Sequence, residues 1–182
     1  LSSSLRLTYR NPLELFFTYL HLSYNYTTRG YYRDYTYSLD RTVSIPIDST
    51  HHRQTFSAAG VVDKSIAPLG LSLHTELRYS HSSYISSQAQ HVYQIHSDLL
   101  VPSLTMTCNK LSPLELAYTF ELSSLWIHHP LTKLRPVLSL RESFEAGLPL
   151  GDRWLLGLQV VHSMNEVAPR EYKHTLFGDL DA

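Results

Sequence analysis

The sequence predicts an all-β protein: an antiparallel, up-and-down transmembrane β-barrel, represented by about nine strands that would form an open, curved sheet if alone. Three observations carry this. The first is alternation. In Leu69–Tyr84, Leu71, Leu73, Leu77 and Tyr79 fall on odd numbers, and Ser72, His74, Glu76, Arg78 and Ser80 on even ones. A period of two makes a strand with one apolar and one polar face. Helical spacing would set Leu71 beside His74, Thr75 and Arg78, leaving no apolar stripe. The second is length. Soluble strands cluster at roughly 5–6 residues, whereas a tilted strand crossing a bilayer needs about 9–11. The third is spacing. Nine strands in 182 residues allow roughly 20 residues for each strand and its connection, against a turn about every 8–12 residues in a sandwich.

Leu5, Leu7 and Tyr9 alternate with Ser4, Arg6, Thr8 and Arg10 in a first strand, which Asn11-Pro12 turns sharply. A second strand spans Leu13–Thr27, with Leu13, Leu15, Phe17 and Tyr19 opposite Leu5–Tyr9 in a tight hairpin. The parity then flips to Leu20, Leu22, Tyr24 and Tyr26, which predicts a bulge near Tyr19–Leu20 or passage out of the bilayer. Residues 28–52 read as a long polar loop with strand character around Tyr35–Ser44 and a break at Pro46. Arg53–Asp63 is a third strand, Lys64–Pro68 a turn, and Leu69–Tyr84 the strand described above. His91–Asn109 returns with Tyr93, Ile95, Leu99 and Val101 on one face, then shifts parity near Pro102 to Leu104, Met106 and Cys108, which predicts a second bulge.

After a turn at Lys110–Ser112, Leu114, Leu116, Tyr118, Phe120, Leu122 and Trp126 share a face of Pro113–Trp126. His128–Lys133 is a loop, Leu134–Ala146 a strand, and Gly147–Asp152 a turn. Trp154, Leu156, Leu158 and Val160 mark another strand, Asn165–Lys173 a polar connection, and His174–Asp181 the ninth strand. Short connections alternate with mostly longer ones, the asymmetry of periplasmic turns and outer loops in membrane barrels.

Matching the faces across the hairpins predicts registers. One sets Phe144 opposite Trp154 as an interfacial aromatic pair, with Glu145 opposite Arg153. Another sets Glu121 opposite Arg141, and a third Arg78 opposite Asp98. His74, Glu76, Arg78, His96, Asp98, Glu121 and Arg141 then form a polar network on the lumen wall. Glu142 shares parity with Leu140 and Phe144, so either a bulge after Pro136 displaces it or protein covers it.

The net charge is −1, which gives no field for nucleic acid. Lys64, Lys110, Lys133 and Lys173 are the only lysines, all at proposed turns or loops. Thirteen tyrosines suit strands and membrane interfaces. Cys108, alone, makes no intrachain disulfide and anchors no metal cluster. No run of about 18 apolar residues is present, so no transmembrane helix is predicted; this is silent on barrels. Without an initiator Met or signal peptide, the chain reads as part of one barrel domain from a longer secreted precursor, with the signal lost upstream.

At Tyr9-Arg10-Asn11-Pro12-Leu13-Glu14-Leu15-Phe16 the sequence resembles the barrel of TonB-dependent outer-membrane receptors from the Bacteroidetes, of the carboxypeptidase-regulatory-like type. Val62-Asp63-Lys64-Ser65-Ile66 resembles a second inner turn of that barrel, and Phe177-Gly178-Asp179-Leu180-Asp181 its late strand. The resemblance implies energised uptake of a scarce ligand (siderophore, vitamin or glycan) through a plugged 22-strand barrel in the bacterial outer membrane. Its partners would be outer-membrane lipid, the TonB complex through an N-terminal region, and the small-molecule or glycan ligand. No plug, TonB box or terminal aromatic strand is visible in these residues. The alternatives are a passive porin and a soluble, secreted β-rich binding module.

No enzyme, metal or cofactor is expected. His51-His52 and His128-His129 could offer metal ligands, but adjacent residues on a strand point apart and no third ligand is fixed by spacing, so they read as solvated loop histidines. Ser72 and Ser80 lie near histidines, but no Gly-x-Ser-x-Gly elbow accompanies them. Tyr31, Tyr32, Arg33 and Tyr35 form a candidate ligand loop that could stack on a glycan or an aromatic ring.

Overall fold

A computed structural model describes the chain except residues 29, 38–41, 50–51, 89–90, 111–112, 131, 134–135, 151–153, 169–170 and 182; for 30–37, 42–49, 86–88, 91–92, 132–133, 150 and 154 the backbone alone is described. Twelve strands appear: β1 (Ser2–Asn11), β2 (Phe16–Thr27), β3 (Gly30–Tyr37), β4 (Thr42–Ser49), β5 (Arg53–Ile66), β6 (Leu71–Gln88), β7 (His91–Cys108), β8 (Glu115–His129), β9 (Thr132–Lys133), β10 (Val137–Leu150), β11 (Trp154–Ala168) and β12 (Glu171–Asp181). Nine of them make one antiparallel path in the order β1-β2-β5-β6-β7-β8-β10-β11-β12, and the two-residue β9 pairs with β8. Among the described residues the path is open at β1 and β12.

The predicted up-and-down meander is therefore the observed one, although most boundaries move. Residues 28–52 contain a separate two-stranded hairpin, β3–β4. Pro46 does not break it; it pairs with Arg33 inside β4, since a two-stranded ribbon can accept a residue without a donor on its free side. β5 continues through the expected turn to Ile66, and the reversal is made by a 3₁₀ turn at Ala67–Leu69 followed by Gly70. β10 extends through Gly147 to Leu150. β11 and β12 take up most of the expected loop Asn165–Lys173, with the single register shift of that hairpin between Glu166 and Ala168.

Neither of the two parity bulges exists. The turn at Pro12–Leu15 itself changes the parity, so β2 enters with Phe16 on the face of Tyr9. Leu20 and Leu22 then lie opposite Leu7 and Leu5, while Phe17 and Tyr19 sit on the polar face with Arg10 and Thr8. In β7 the register runs unbroken through Pro102, which lies opposite Leu77. Leu100, Leu104, Met106 and Cys108 thus share the face of Leu71–Tyr79, whereas Tyr93, Ile95, Leu99 and Val101 join Ser80 and Arg78 on the other.

One face is apolar along every strand of the path, and it is uncovered. Leu5 is 53% exposed, Leu77 51% and Leu180 67%. The few buried apolar residues, Val61, Ile95 and Val101, all lie on the opposite face. No large side chain among the described residues is fully buried. A water-soluble body of this size would carry a core of such residues. From Leu71 to Tyr79, at about 3.4 Å per residue and a tilt near 40°, the apolar band stands roughly 20–25 Å tall, close to that of an outer-membrane barrel.

The rows of paired residues climb across the sheet. A row leaving β6 at Leu73, next to the turn, passes Met106, Tyr118 and Phe144 and crosses β11 at Val160, well inside a strand that starts at Trp154. This is the stagger that barrel closure requires.

The turn end is stitched together. Asn11 Oδ1 accepts the backbone N–H groups of Leu13 (3.2 Å) and Glu14 (3.4 Å), while Leu15 closes the turn at φ 50°. Lys64 Nζ donates to the Glu14 carbonyl at 2.9 Å, and Lys110 Nζ to that of Pro68 at 2.6 Å. Two of the four lysines thus tie neighbouring turns. Replacing Asn11 by Ala removes the side-chain acceptor and should cost about 0.5–1 kcal/mol, read as a lower urea midpoint for the refolded protein.

Candidate functional site

The inward face carries the polar chemistry because the even residues of β6 and the odd residues of β5, β8 and β10 all turn that way. His74 pairs with Asp63, its ladder partner. Arg78 reaches across β7 to Glu121, with Nη2 3.0 Å from Oε2, and its Nε lies 3.8 Å from Glu76. Arg141 stands opposite Glu121 in the ladder, as the sequence register has it. Arg6 lies over the Tyr19 ring at 4.6 Å. Nearer the turns, Glu115, Glu145, Asp179 and Asp181 rim a hollow of about 380 Å³ floored by the facing Gly147 and Gly157.

The structure thus brings His74, Glu76, Arg78, Glu121 and Arg141 to one wall. It removes His96 and Asp98 from it. Arg78 lies opposite Val101, and Asp98 opposite His81 on the outward face. The cause is the β6–β7 connection: β6 and β7 continue to Gln88 and His91, which shifts the pairing and inverts the face of β7. Phe144 and Trp154 are both at outward register positions but are not partners. Phe144 faces Val160, and Trp154 faces Leu150 near the turn. Glu145 faces Gln159, which donates to it at 2.8 Å; Arg153 is outside the described residues. The backbone of Tyr31, Tyr32, Arg33 and Tyr35 forms β3, which packs against β6; the stacking expected of their side chains lies outside the described residues.

Two polar networks on the outward face escaped the sequence reading. In the first, Tyr79 Oη and His81 Nδ1 both donate to Asp98 Oδ1 at 2.7 Å, and His128 Nε2 lies 3.3 Å from Oδ2. An ionised carboxylate only accepts, so the proton sits on His81 Nδ1. In the second, Tyr118 Oη donates to Glu142 Oε1 at 2.8 Å and His162 Nδ1 to Oε2 at 3.0 Å. His162 Nε2 lies 3.2 Å from His174 Nδ1, with the two rings stacked. Glu142 is therefore neither displaced by a bulge nor roofed; its ladders are unbroken, and the two adjoining strands, β8 and β11, supply its partners. The missed signal was the pairing of Tyr and His with each carboxylate across adjacent strands, which is invisible until the register is known. His52 stacks on Tyr26 and accepts or donates at 2.8 Å. Among the described residues no group of three or more metal ligands converges.

The Arg78–Glu121 pair is half exposed, so its contribution to stability is small. Glu121→Gln should cost less than about 1 kcal/mol but remove one negative charge from beside Arg78 and Arg141, leaving Arg78 only its longer pair with Glu76. In a conducting lumen, the reversal potential under a salt gradient should move toward anion preference.

No protein-family model matches the sequence, and no curated protein matches it. Among solved structures, it is similar to a loop-L8 deletion mutant of OmpT, an outer membrane protein of Vibrio cholerae. The TM-score is 0.55 at 8% identity, over 97% of this chain and 52% of that one. CdiB from Escherichia coli aligns with a TM-score of 0.47 at 14% identity, over 91% of this chain and 28% of that one. The chain thus spans about half the length of the first. The likeness to the first is one of fold: the antiparallel, up-and-down wall of an outer membrane β-barrel.

Proposed function

We propose that the chain is part of the wall of a transport barrel in the bacterial outer membrane, of the plugged, TonB-dependent kind that takes up a scarce small molecule or glycan. The observation that carries the membrane reading is the uncovered apolar band of all nine strands, with only three apolar residues buried among the described ones. An apolar face of this extent is stable only in hydrocarbon or under a partner. Open edges in lipid leave backbone groups unpaired, so β1 and β12 would pair with further strands. The plugged reading is supported by the turn at Asn11-Pro12-Leu13, where an Asn side chain organises a short inner turn between a tyrosine strand and a phenylalanine strand. Outer-membrane lipid, the TonB complex and the transported ligand are its implied partners.

The test is conductance of the intact protein in planar bilayers in potassium chloride. A plugged receptor is closed at rest and conducts after urea loosens the plug. Steady open channels without urea would assign a passive porin. A protein that stays monodisperse without detergent would be a soluble β-rich module and would end the membrane reading.

A further inference from the structure

On the inner wall, a hollow of about 350 Å³ spans β2, β5, β6, β7 and β8. Small side chains make room for it. Ser57 and Ala59 of β5, Ser80 of β6 and Ser123 of β8 stand among the longer His21, Arg78 and Glu121. Ala59, Leu99 and Val101 give it an apolar floor, and Val101 is buried. The ladder orders these groups. Ser57, Ser80 and Leu99 form one row on the loop side, and Ala59, Arg78 and Val101 form the next row toward the turns. The Arg78–Glu121 ion pair borders the turn side. An apolar floor with a few converging polar groups is the usual make-up of a small-molecule site, and the volume falls near the lower end of the usual range of roughly 300–1,000 Å³.

We propose that this hollow binds an uncharged, hydroxyl-bearing small molecule of about two fused rings. The floor takes the ring face, because removing apolar surface from water is favourable. Charge selects against ions. Arg78 and Arg141 stand with Glu76 and Glu121, so the cations and carboxylates of β6, β8 and β10 beside the hollow balance. β5 and β7 contribute no charge to the lining, and Arg6 of β1, opposite His21, lies over the Tyr19 ring. An anion brought to Arg78 meets Glu121, and a cation brought to Glu121 meets Arg78, since the two are 3.0 Å apart. A hydroxyl suits both at once: it accepts from the guanidinium and donates to the carboxylate. The serines on the rim offer the same two capacities. Ser57 is committed to Ser23 at 2.6 Å, whereas the Ser80 and Ser123 hydroxyls have no partner among the described residues.

The proposal rests on the inner face being a lumen wall, as the membrane reading has it, and one experiment separates the two. The intact protein is placed in lipid nanodiscs and dialysed against 2-naphthol, 2-naphthoate or naphthalene, with empty nanodiscs as the blank. Binding is measured at rest and again after the urea step that loosens a plug. At about pH 7 the naphthol is uncharged and the naphthoate is an anion. 2-Naphthol should bind saturably, with a Kd of about 0.1–1 mM. 2-Naphthoate and naphthalene should bind about five- to tenfold more weakly, the first for its charge and the second for its missing hydroxyl. Ala59→Leu fills the floor and should weaken 2-naphthol by about tenfold or more. Ser163→Leu, inward opposite Arg141 but outside the hollow, should not. Ser80→Ala and Ser123→Ala should each cost about two- to fivefold for 2-naphthol and nothing for naphthalene. Glu121→Gln leaves the cations in excess and should reverse the order, with 2-naphthoate the tighter ligand. The proposal is overturned by no saturable 2-naphthol binding in either state, by equal binding of the three probes, by an Ala59→Leu protein that binds like the parent, or by an order of probes that Glu121→Gln leaves unchanged. A protein that stays out of the nanodiscs and monodisperse in buffer would overturn the membrane reading with it.

Discussion

Arginine in place of Leu77 is expected to lower the stability of the bilayer-inserted protein by about 2–4 kcal/mol. Leu77 is half exposed on the outward face, and its ladder neighbours are Gly60 and Pro102. No carboxylate is among its ladder partners to receive a cation. The adjacent strand position Ser80 turns inward between Ser57 and Leu99. There an arginine head reaches water, and Ser80→Arg should change stability by less than about 1 kcal/mol. The two variants differ by three positions on one strand, so strand propensity cannot explain a gap between them. Urea titration in vesicles reads it directly. If both variants lose equally little, the outward face does not meet hydrocarbon.

Gly70→Val should cost about as much, for a different reason. Gly70 closes the β5–β6 turn at φ 58°, in the left-handed region that side chains resist. A Cβ there would lie 2.7 Å from Lys110 Cβ and 2.8 Å from the Lys110 backbone nitrogen. The neighbour cannot simply yield, because Asn109 N–H is bonded to the Gly70 carbonyl at 2.9 Å and Lys110 Nζ to Pro68. Left-handed strain of about 1–3 kcal/mol and a backbone clash of similar size combine to an expected loss of about 2–4 kcal/mol. Gly60 is the contrast. Nothing lies within 4 Å of its would-be Cβ, so Gly60→Ala should be neutral or should stabilise by up to about 1 kcal/mol. A Gly70→Val protein as stable as the parent would mean that the two turns do not approach as described.

The corrections to the sequence reading share a cause. Alternation within β6 fixed its own faces, and Leu71–Tyr79 points outward as read. What alternation could not fix was the phase from one strand to the next. The turn at Pro12–Leu15 and the hairpin between Gln88 and His91 each shift the phase. Where the connecting turn is misplaced, every residue of the next strand changes face. Polarity alone places the apolar Leu99 and Val101 outward and the charged Asp98 inward. The ladder reverses all three, and the cost of an outward carboxylate is offset by Tyr79 and His81 of the adjoining strand. The Glu121–Arg141 pairing, by contrast, was readable because both strands alternate cleanly on either side of their loop.

Taken alone, then, the order of residues determined that the chain forms long two-faced strands joined as an antiparallel meander, because a period of two is a local property of each segment. It also fixed where several short turns fall, since Asn, Pro and Gly act on their own backbone. The tertiary structure alone decided which residues meet across strands. It placed Asp98 and Glu142 in tyrosine–histidine networks on the outer side and Arg78 with Glu121 on the inner wall, because hydrogen-bond register and row stagger are settled between strands rather than within them.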